Sequence, residues 1–320
     1  MNTADIKKAV SILRSGGLVA FPTETVYGLG ADARNEAAVR KIFRAKERPY
    51  DHPLIVHMAD LSQLNEWACE VPKQAIHLAE TFWPGPLTIV LKKQTHVLQV
   101  VTGGQDSVGV RIPRHPIAQA LLQAFGSGVA APSANKFTHI SPTNAAAVRE
   151  ELGSSVDLVL DGGDCAVGLE STIIDMRRDE PVILRPGMIT AEMLSTALGK
   201  QVILARQDTP APRTPGMHHL HYAPTTATRL MAKYELPDYL QALNKEAFPI
   251  AVVTHSQIDL PPSVHRVMLS NEARQYAHDL YHTLRSLDHQ GFKGILIEEV
   301  PNTPEWEAIR DRLKKASGSR

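Results

Sequence analysis

The chain has 320 residues, 43% hydrophobic and 21% charged, enough to bury a sizeable core in one large domain or two ordinary ones. Its 34 Lys and Arg balance 34 Asp and Glu, so no net basic field exists to grip nucleic-acid phosphates, and no strong direct nucleic-acid binding is expected. Cys69 and Cys165 lie far apart and outside any Cys-x-x-Cys pair, which argues against a disulfide framework or a cysteine zinc site.

No apolar run is long enough to span a bilayer, and Asp5, Lys7 and Lys8 occupy the N-terminal stretch where a signal-peptide core would lie. A soluble, cytoplasmic protein is expected. Ile6, Val10 and Leu13 recur at helical spacing before Gly16-Gly17, predicting an opening amphipathic helix. Leu18 to Phe21 reads as a strand, and Pro22-Thr23-Glu24-Thr25 follows at its end. The threonines there suit either a plain turn with a capping hydroxyl or contact with a small polar ligand such as an amino acid. Gly28-Leu29-Gly30-Ala31-Asp32-Ala33 then matches the Gly-x-Gly-x-x-Gly/Ala pattern of dinucleotide sites. That fingerprint needs its glycines to open a helix directly after a strand. Here the next helix starts near Asn35, so close backbone approach explains the glycines better. A nicotinamide-dependent enzyme remains a distant alternative, tested by NADH binding.

Glu36 to Ala45 reads as a helix with Arg40, Lys41 and Arg44 outward, and its basic end suits the helix dipole. Leu54 to Met58, Leu87 to Leu91, Val108 to Ile112 and Val129 to Ala131 read as strands, with others near Leu158, Ile173 and Val182. Helices are expected from Lys73 to Phe82, Ile117 to Phe125 and Pro142 to Leu152, the last with Ser141 as N-cap and Pro142 at its first position. Strands and helices mix without strict alternation, which indicates α/β with a mixed sheet. From 205 to 229 the texture changes: Pro210, Pro212, Pro215 and Pro224 mark a linker. Beyond it, strands at Arg229 to Met231, Ile250 to Thr254, Val264 to Leu269 and Gly294 to Val300 alternate with helices at Pro237 to Lys245, Glu272 to His289 and Pro304 to Lys315. The expected organisation is a first domain at 1–204, the linker at 205–229 and a small Rossmann-like α/β domain at 230–320.

Two strings carry most of the chemical signal, Lys46-Glu47-Arg48-Pro49 and Ser133-Ala134-Asn135. Each adjoins an apolar strand, and together they would form an anion pocket. A lysine point charge with an arginine fork suits phosphate oxygens. A helix start after Ser141 would add free backbone N–H groups. Arg111, set among Val110, Ile112 and Val108, needs an anionic partner, either Asp or Glu from the fold or a ligand carboxylate. Arg185 repeats the pattern of an arginine closing an apolar strand. A Walker A loop and a Gly-x-Ser-x-Gly elbow are absent. His218, His219 and His221 in the linker could ligate a metal, but no acidic residue lies near, so a lid folding over the pocket is the preferred reading and no protein metal site is expected.

With these residues in hand, the chain resembles the YrdC-type threonylcarbamoyl-AMP synthases in their longer two-domain form. The resemblance runs through Phe21 to Gly30, Lys46-x-Arg48-Pro49, Pro53 to His57, Trp83 to Thr88, Ala131 to Asn135, Glu170-Ser171-Thr172, Arg185-Pro186-Gly187, Pro215-Gly216-Met217 and His221 to Pro224. It implies a twisted mixed sheet lining a large basic cavity. It also implies a reaction: L-threonine, bicarbonate and ATP, with magnesium carried on ATP, give threonylcarbamoyl-AMP and pyrophosphate. The product would pass to a transferase that modifies a tRNA adenosine. By resemblance Thr25, His57, Arg111, Ala131 and Ser171 hold threonine. Arg48, His52, Ser107, Ser133, Asn135, Ser141, Arg185 and Tyr222 hold ATP, and Lys46 and Arg48 are the catalytic candidates. Three positions depart from the family pattern: His52 stands where asparagine is usual, Phe137-Thr138 replaces Ser-Gly, and His218-His219-Leu220 replaces a more basic stretch. The alternative is a nucleotide- or RNA-binding module that uses the same cavity without catalysis.

Overall fold

The computed structural model describes residues 3–205, 211–216, 221–244 and 247–318. The chain divides into two compact units, residues 1–137 with 141–217 and residues 138–140 with 218–320. Three residues of the first stretch therefore count with the second unit. The Pro-rich stretch is itself divided, with 211–216 in the first unit.

The first unit opens with α1 (Thr3–Arg14), which buries Ile6, Ala9, Val10 and Leu13 along one face. β1 (Val19–Phe21) and β2 (Gly28–Asp32) pair antiparallel. β2 is a strand that residue type does not announce. A Cβ on Gly30 would lie 2.8 Å from the Phe21 ring and from Val129, so the glycine permits close approach of neighbouring strands and does not open a dinucleotide helix. α2 (Glu36–Lys46) is capped by Asn35 Oδ1, which accepts from Ala38 N at 3.1 Å. It ends at Glu47 in the left-handed region (φ 52°), with Arg48 N donating to Phe43 O at 2.9 Å. β3 (Ile55–His57), α3 (Leu64–Trp67), α4 (Lys73–Phe82), β4 (Leu87–Lys92), α5 (Gln99–Thr102), β5 (Ser107–Arg111), α6 (Pro116–Phe125) and β6 (Val129–Ala130) follow. Then come α7 (Ala145–Leu152), β7 (Leu158–Val159), β8 (Thr172–Asp175), β9 (Val182–Arg185), α8 (Ala191–Leu198) and β10 (Ile203–Leu204).

α7 starts later than the sequence suggests. Asn144 is extended (φ −146°) and its side chain accepts from Ala147 N at 2.9 Å, so Asn144 takes the cap position and Ser141 stands outside the helix. The ten strands form one sheet in the order β10-β9-β8-β4-β5-β3-β6-β2-β1-β7. Parallel pairs (β10/β9, β8/β4, β5/β3, β1/β7) are interspersed with antiparallel ones, so the sheet is mixed. The main core gathers Leu29, Val56, Trp67, Leu78, Ile89 and Val110.

The second unit contains β11 (Thr228–Met231), α9 (Leu236–Ala242), β12 (Ile250–Thr254), β13 (His265–Met268), α10 (Ala273–Asp288), β14 (Gly294–Glu298) and α11 (Glu307–Ala316). Its sheet, ordered β11-β14-β12-β13, is entirely parallel. β12 is buried at every position, as a strand covered on both faces must be. α9 ends at Ala242, and Lys245, expected at its end, lies outside the described residues. No helix of the described residues is long and apolar enough to cross a membrane.

Candidate functional site

β5 ends in Arg111, which pairs in parallel register with His57 at the end of β3. The loop between β1 and β2 brings Glu24 and Thr25 to the same place. Arg111 donates through Nη1 to Thr25 Oγ1 (2.9 Å), through Nη2 to Glu24 Oε1 (2.7 Å) and through Nε to Gly85 O (3.2 Å). Glu24 Oε2 also accepts from Arg114 N at 2.9 Å. The anionic partner of the buried arginine is thus Glu24, one of the two options the sequence left open. The three bonds use three of the five guanidinium N–H groups; a carboxylate would find the other two.

Thr23 fixes the loop. Its Oγ1 donates to Val26 O at 2.7 Å and accepts from Thr25 N at 3.1 Å. Because that proton is committed to Val26, the 2.8 Å contact between the two threonine hydroxyls has Thr25 as donor. Beside this network His57 is 4% exposed and its Nδ1 has no hydrogen-bond partner among the described residues. Burial, reinforced by the Arg111 charge, pushes its pKa down to about 3, so the ring is neutral at physiological pH. Backbone groups of Ile55 and Val129 beside the ring oppose the shift without reversing it. Ala131, on the far side of β3, donates its N–H to Ile55 O at 2.9 Å.

The two loops singled out in the sequence do meet. Lys46, buried at the end of α2, donates from Nζ to Ser133 O (2.5 Å), to Asn135 O and to Asn135 Oδ1 (3.4 Å). Phe137 N returns a bond to Lys46 O at 2.8 Å. Burial, with Arg48 nearby, pulls the lysine pKa well down, while three oxygen acceptors face its three protons. Lys46 in this arrangement ties the Ser133-Ala134-Asn135 loop to α2. Arg48 is buried and donates from Nη2 to Pro53 O at 3.0 Å. His52 lies edge-on to Phe137, ring centroids 5.2 Å apart.

A third cluster forms where β8 meets β4 and β9. Arg185 grips Ser171 O through Nε (3.0 Å) and Nη2 (2.9 Å), and reaches Ser171 Oγ at 3.1 Å. That hydroxyl lies 2.7 Å from Thr88 Oγ1. Ser141, freed from capping, donates to Glu170 Oε1 at 2.5 Å. A small cleft of about 20 Å³ is lined by Pro53, Thr88, Ser107, Gly109, Arg213 and Pro215, among others. Residues 211–216 are fixed on its rim by Arg213, which bonds Asp51 Oδ2 (3.0 Å) and Gly103 O (2.8 Å), while Arg213 N donates to Gln105 Oε1 (2.7 Å).

Tyr222 falls in the second unit. There it is buried with φ 59°, its ring stacked on Tyr281 and under the Arg312 guanidinium, 5.0 Å away. Met217, His218, His219 and Leu220, part of the expected lid, lie outside the described residues. Residue-by-residue reading passed over Glu24, Thr88, Glu170 and Arg213. Glu24 and Glu170 left one usable signal, an acidic side chain inside a stretch otherwise apolar or hydroxylic.

Residues 11–187 match a family described as telomere recombination, Sua5_yciO_yrdC, and residues 189–318 match the threonylcarbamoyl-AMP synthase C-terminal domain. The chain belongs to the threonylcarbamoyl-AMP synthase family. The Pyrococcus abyssi threonylcarbamoyl-AMP synthase is 39% identical over 324 residues, covering 98% of this chain and 94% of that relative. The Bacillus subtilis threonylcarbamoyl-AMP synthase is 39% identical over 328 residues, covering 100% and 94%. A crystal structure of P. abyssi Sua5 complexed with L-threonine is similar with a TM-score of 0.91 at 38% identity, covering 98% of this chain and 94% of that one. Similarity to members of the synthase family thus spans both units.

Proposed function

We propose that this chain is a threonylcarbamoyl-AMP synthase, a nucleotidyltransferase that makes threonylcarbamoyl-AMP and pyrophosphate from L-threonine, bicarbonate or CO2, and ATP. The observation that carries the reading is the group at the ends of β3 and β5. Arg111 has N–H groups to offer a carboxylate, the Thr25 oxygen that accepts from Arg111 keeps a further lone pair, and His57 adds a neutral ring beside them. These match the functional groups of a hydroxylated amino acid, which the P. abyssi relative carries as L-threonine.

The nucleotide is assigned to Arg48, Ser107, Ser133, Asn135, Ser141 and Arg185, with His52 and Tyr222 as its further contacts. Threonine takes Thr25, His57, Arg111, Ala131 and Ser171. The neutral amine adds to CO2 and gives up one proton to water, leaving a carbamate; a carbamate oxygen then forms the bond to the α-phosphorus in line as the bond from that phosphorus to the β-phosphate oxygen breaks and pyrophosphate leaves. Alignment and positive charge do the work, so no general base is required. Lys46 holds the Ser133-Asn135 loop in register, and Arg48 faces the phosphates. Magnesium would be carried on the ATP phosphates with few protein ligands and would supply charge neutralisation there; the buried carboxylates Glu24 and Glu170 are already engaged by Arg111 and Ser141. The product passes to a tRNA-modifying transferase in a cytoplasmic setting.

Incubation with ATP, L-threonine and bicarbonate should release pyrophosphate. Release that is absent, or indifferent to threonine, overturns the assignment.

A further inference from the structure

Between Asn135 and Ser141 the chain leaves the first unit at Phe137 and returns at Ser141, and Thr138–Ile140 counts with the second unit. There the short segment is held from two directions. Ala223 N donates to Thr138 O at 3.0 Å, and His139 forms a parallel bridge with Ala223. From α10, Arg285 Nη2 donates to Ile140 O at 2.8 Å. The helix that carries Arg285 is itself anchored by buried Tyr281, Leu284 and Leu287.

Thr138 has φ 70°, a conformation that a β-branched residue adopts only under constraint. Such strain persists where surrounding contacts over-determine it. The bonds to Thr138 O and Ile140 O, one residue on either side of His139, are that constraint. The segment lies three residues after Asn135 and directly before Ser141, two groups assigned above to ATP.

We propose that Arg285 is a positioning residue for the segment Thr138–Ile140 that joins Asn135 to Ser141, and that its bond to Ile140 O thereby tunes affinity for ATP. This rests on the synthase reading for the identity of the ligand. Arg285 acts through the backbone of Ile140. It holds Ile140 O, and the strained Thr138 backbone keeps the flanking residues in the geometry that nucleotide requires.

The full-length Arg285→Ala variant tests this, with Arg285→Gln as a second variant that keeps an amide donor should the first unfold. Arg285→Ala should raise both the KM for ATP and the calorimetric Kd for ATP about tenfold, the scale of one lost charge-assisted bond. The KM for threonine and kcat should stay close to wild type. Hydrogen exchange from Lys136 to Asn144 should quicken. Adding Thr138→Gly, which removes the strain, should bring the ATP constants back toward wild type. An Arg285→Ala enzyme with unchanged ATP affinity and unchanged exchange overturns the inference and leaves the synthase reading standing. A general fall in kcat with unaltered KM, or equal weakening of threonine and ATP, overturns it too, because either marks a merely structural residue. Should wild-type pyrophosphate release ignore threonine, the synthase reading falls, and ATP calorimetry with hydrogen exchange still decides the role of Arg285.

Discussion

Arg111 and Glu24 form an ion pair of 2.7 Å in which the side chains are 4% and 9% exposed. Removing one member of such a pair strands the other charge in a low dielectric. Glu24→Ala should therefore cost about 3–5 kcal/mol of folding stability, read from urea unfolding. A loss under ~1 kcal/mol would show that water or another group compensates Arg111.

His57 makes stability depend on pH in a defined window. Its folded pKa of about 3 lies below the unfolded value of 6.5, so the unfolded chain takes up a proton first. The contribution is complete above pH 6.5 and is lost progressively as pH falls toward 3, by roughly 1.4 kcal/mol per pH unit at most. A His57→Gln variant should flatten that slope in chemical denaturation between pH 6 and about 4. An unchanged slope would mean that other groups generate it.

Lys46→Met removes the donor that joins Ser133 O and Asn135 O and leaves both carbonyls without it. We expect a stability loss of about 1–3 kcal/mol together with weaker ATP binding. Equilibrium unfolding and nucleotide titration on the same sample report the two effects. If only the melting temperature moved, the loop would keep its shape without the lysine.

Arg48→Ala should abolish threonine-dependent pyrophosphate release while changing the melting temperature little, the bond from Arg48 to Pro53 O being a surplus donor to a loop stiffened by two prolines. Circular dichroism melts separate the outcomes: a variant that unfolds assigns Arg48 to the scaffold.

Gly187→Ala probes the turn after β9. A Cβ there would come 2.4 Å from Thr172 N and 2.6 Å from Thr172 Oγ1, where backbone cannot yield cheaply. The variant should lose about 1–3 kcal/mol, and because Arg185 two residues earlier holds Ser171, activity should fall with it. Wild-type stability in calorimetry would contradict the close approach.

Much of the architecture was legible because long periodic segments announce themselves. The helix from Glu36 and the strand around Val252 follow from spacing alone. β2 did not, because its glycines are chosen for interstrand clearance and lack the branched side chains that mark strands. The helix start at Ser141-Pro142-Thr143 was misplaced because Asn144, a second capping side chain three residues on, wins once tertiary packing decides. The meeting of Lys46 with Ser133 and Asn135 was readable as a juxtaposition of polar loops. The partner of Arg111 was not, since 87 residues separate it from Glu24 and no local pattern selects one carboxylate over another.

The hold on Thr138–Ile140 also orders events in time. Ala223 and Arg285 are synthesised long after the residues they bond, Arg285 being 145 positions downstream of Ile140. A chain emerging from the ribosome folds its N-terminal part first, so the Asn135–Ser141 loop waits, unfastened, until α10 has been translated. A nascent chain therefore gains the bonds to Thr138 O and Ile140 O only after Ala223 and Arg285 have themselves been translated.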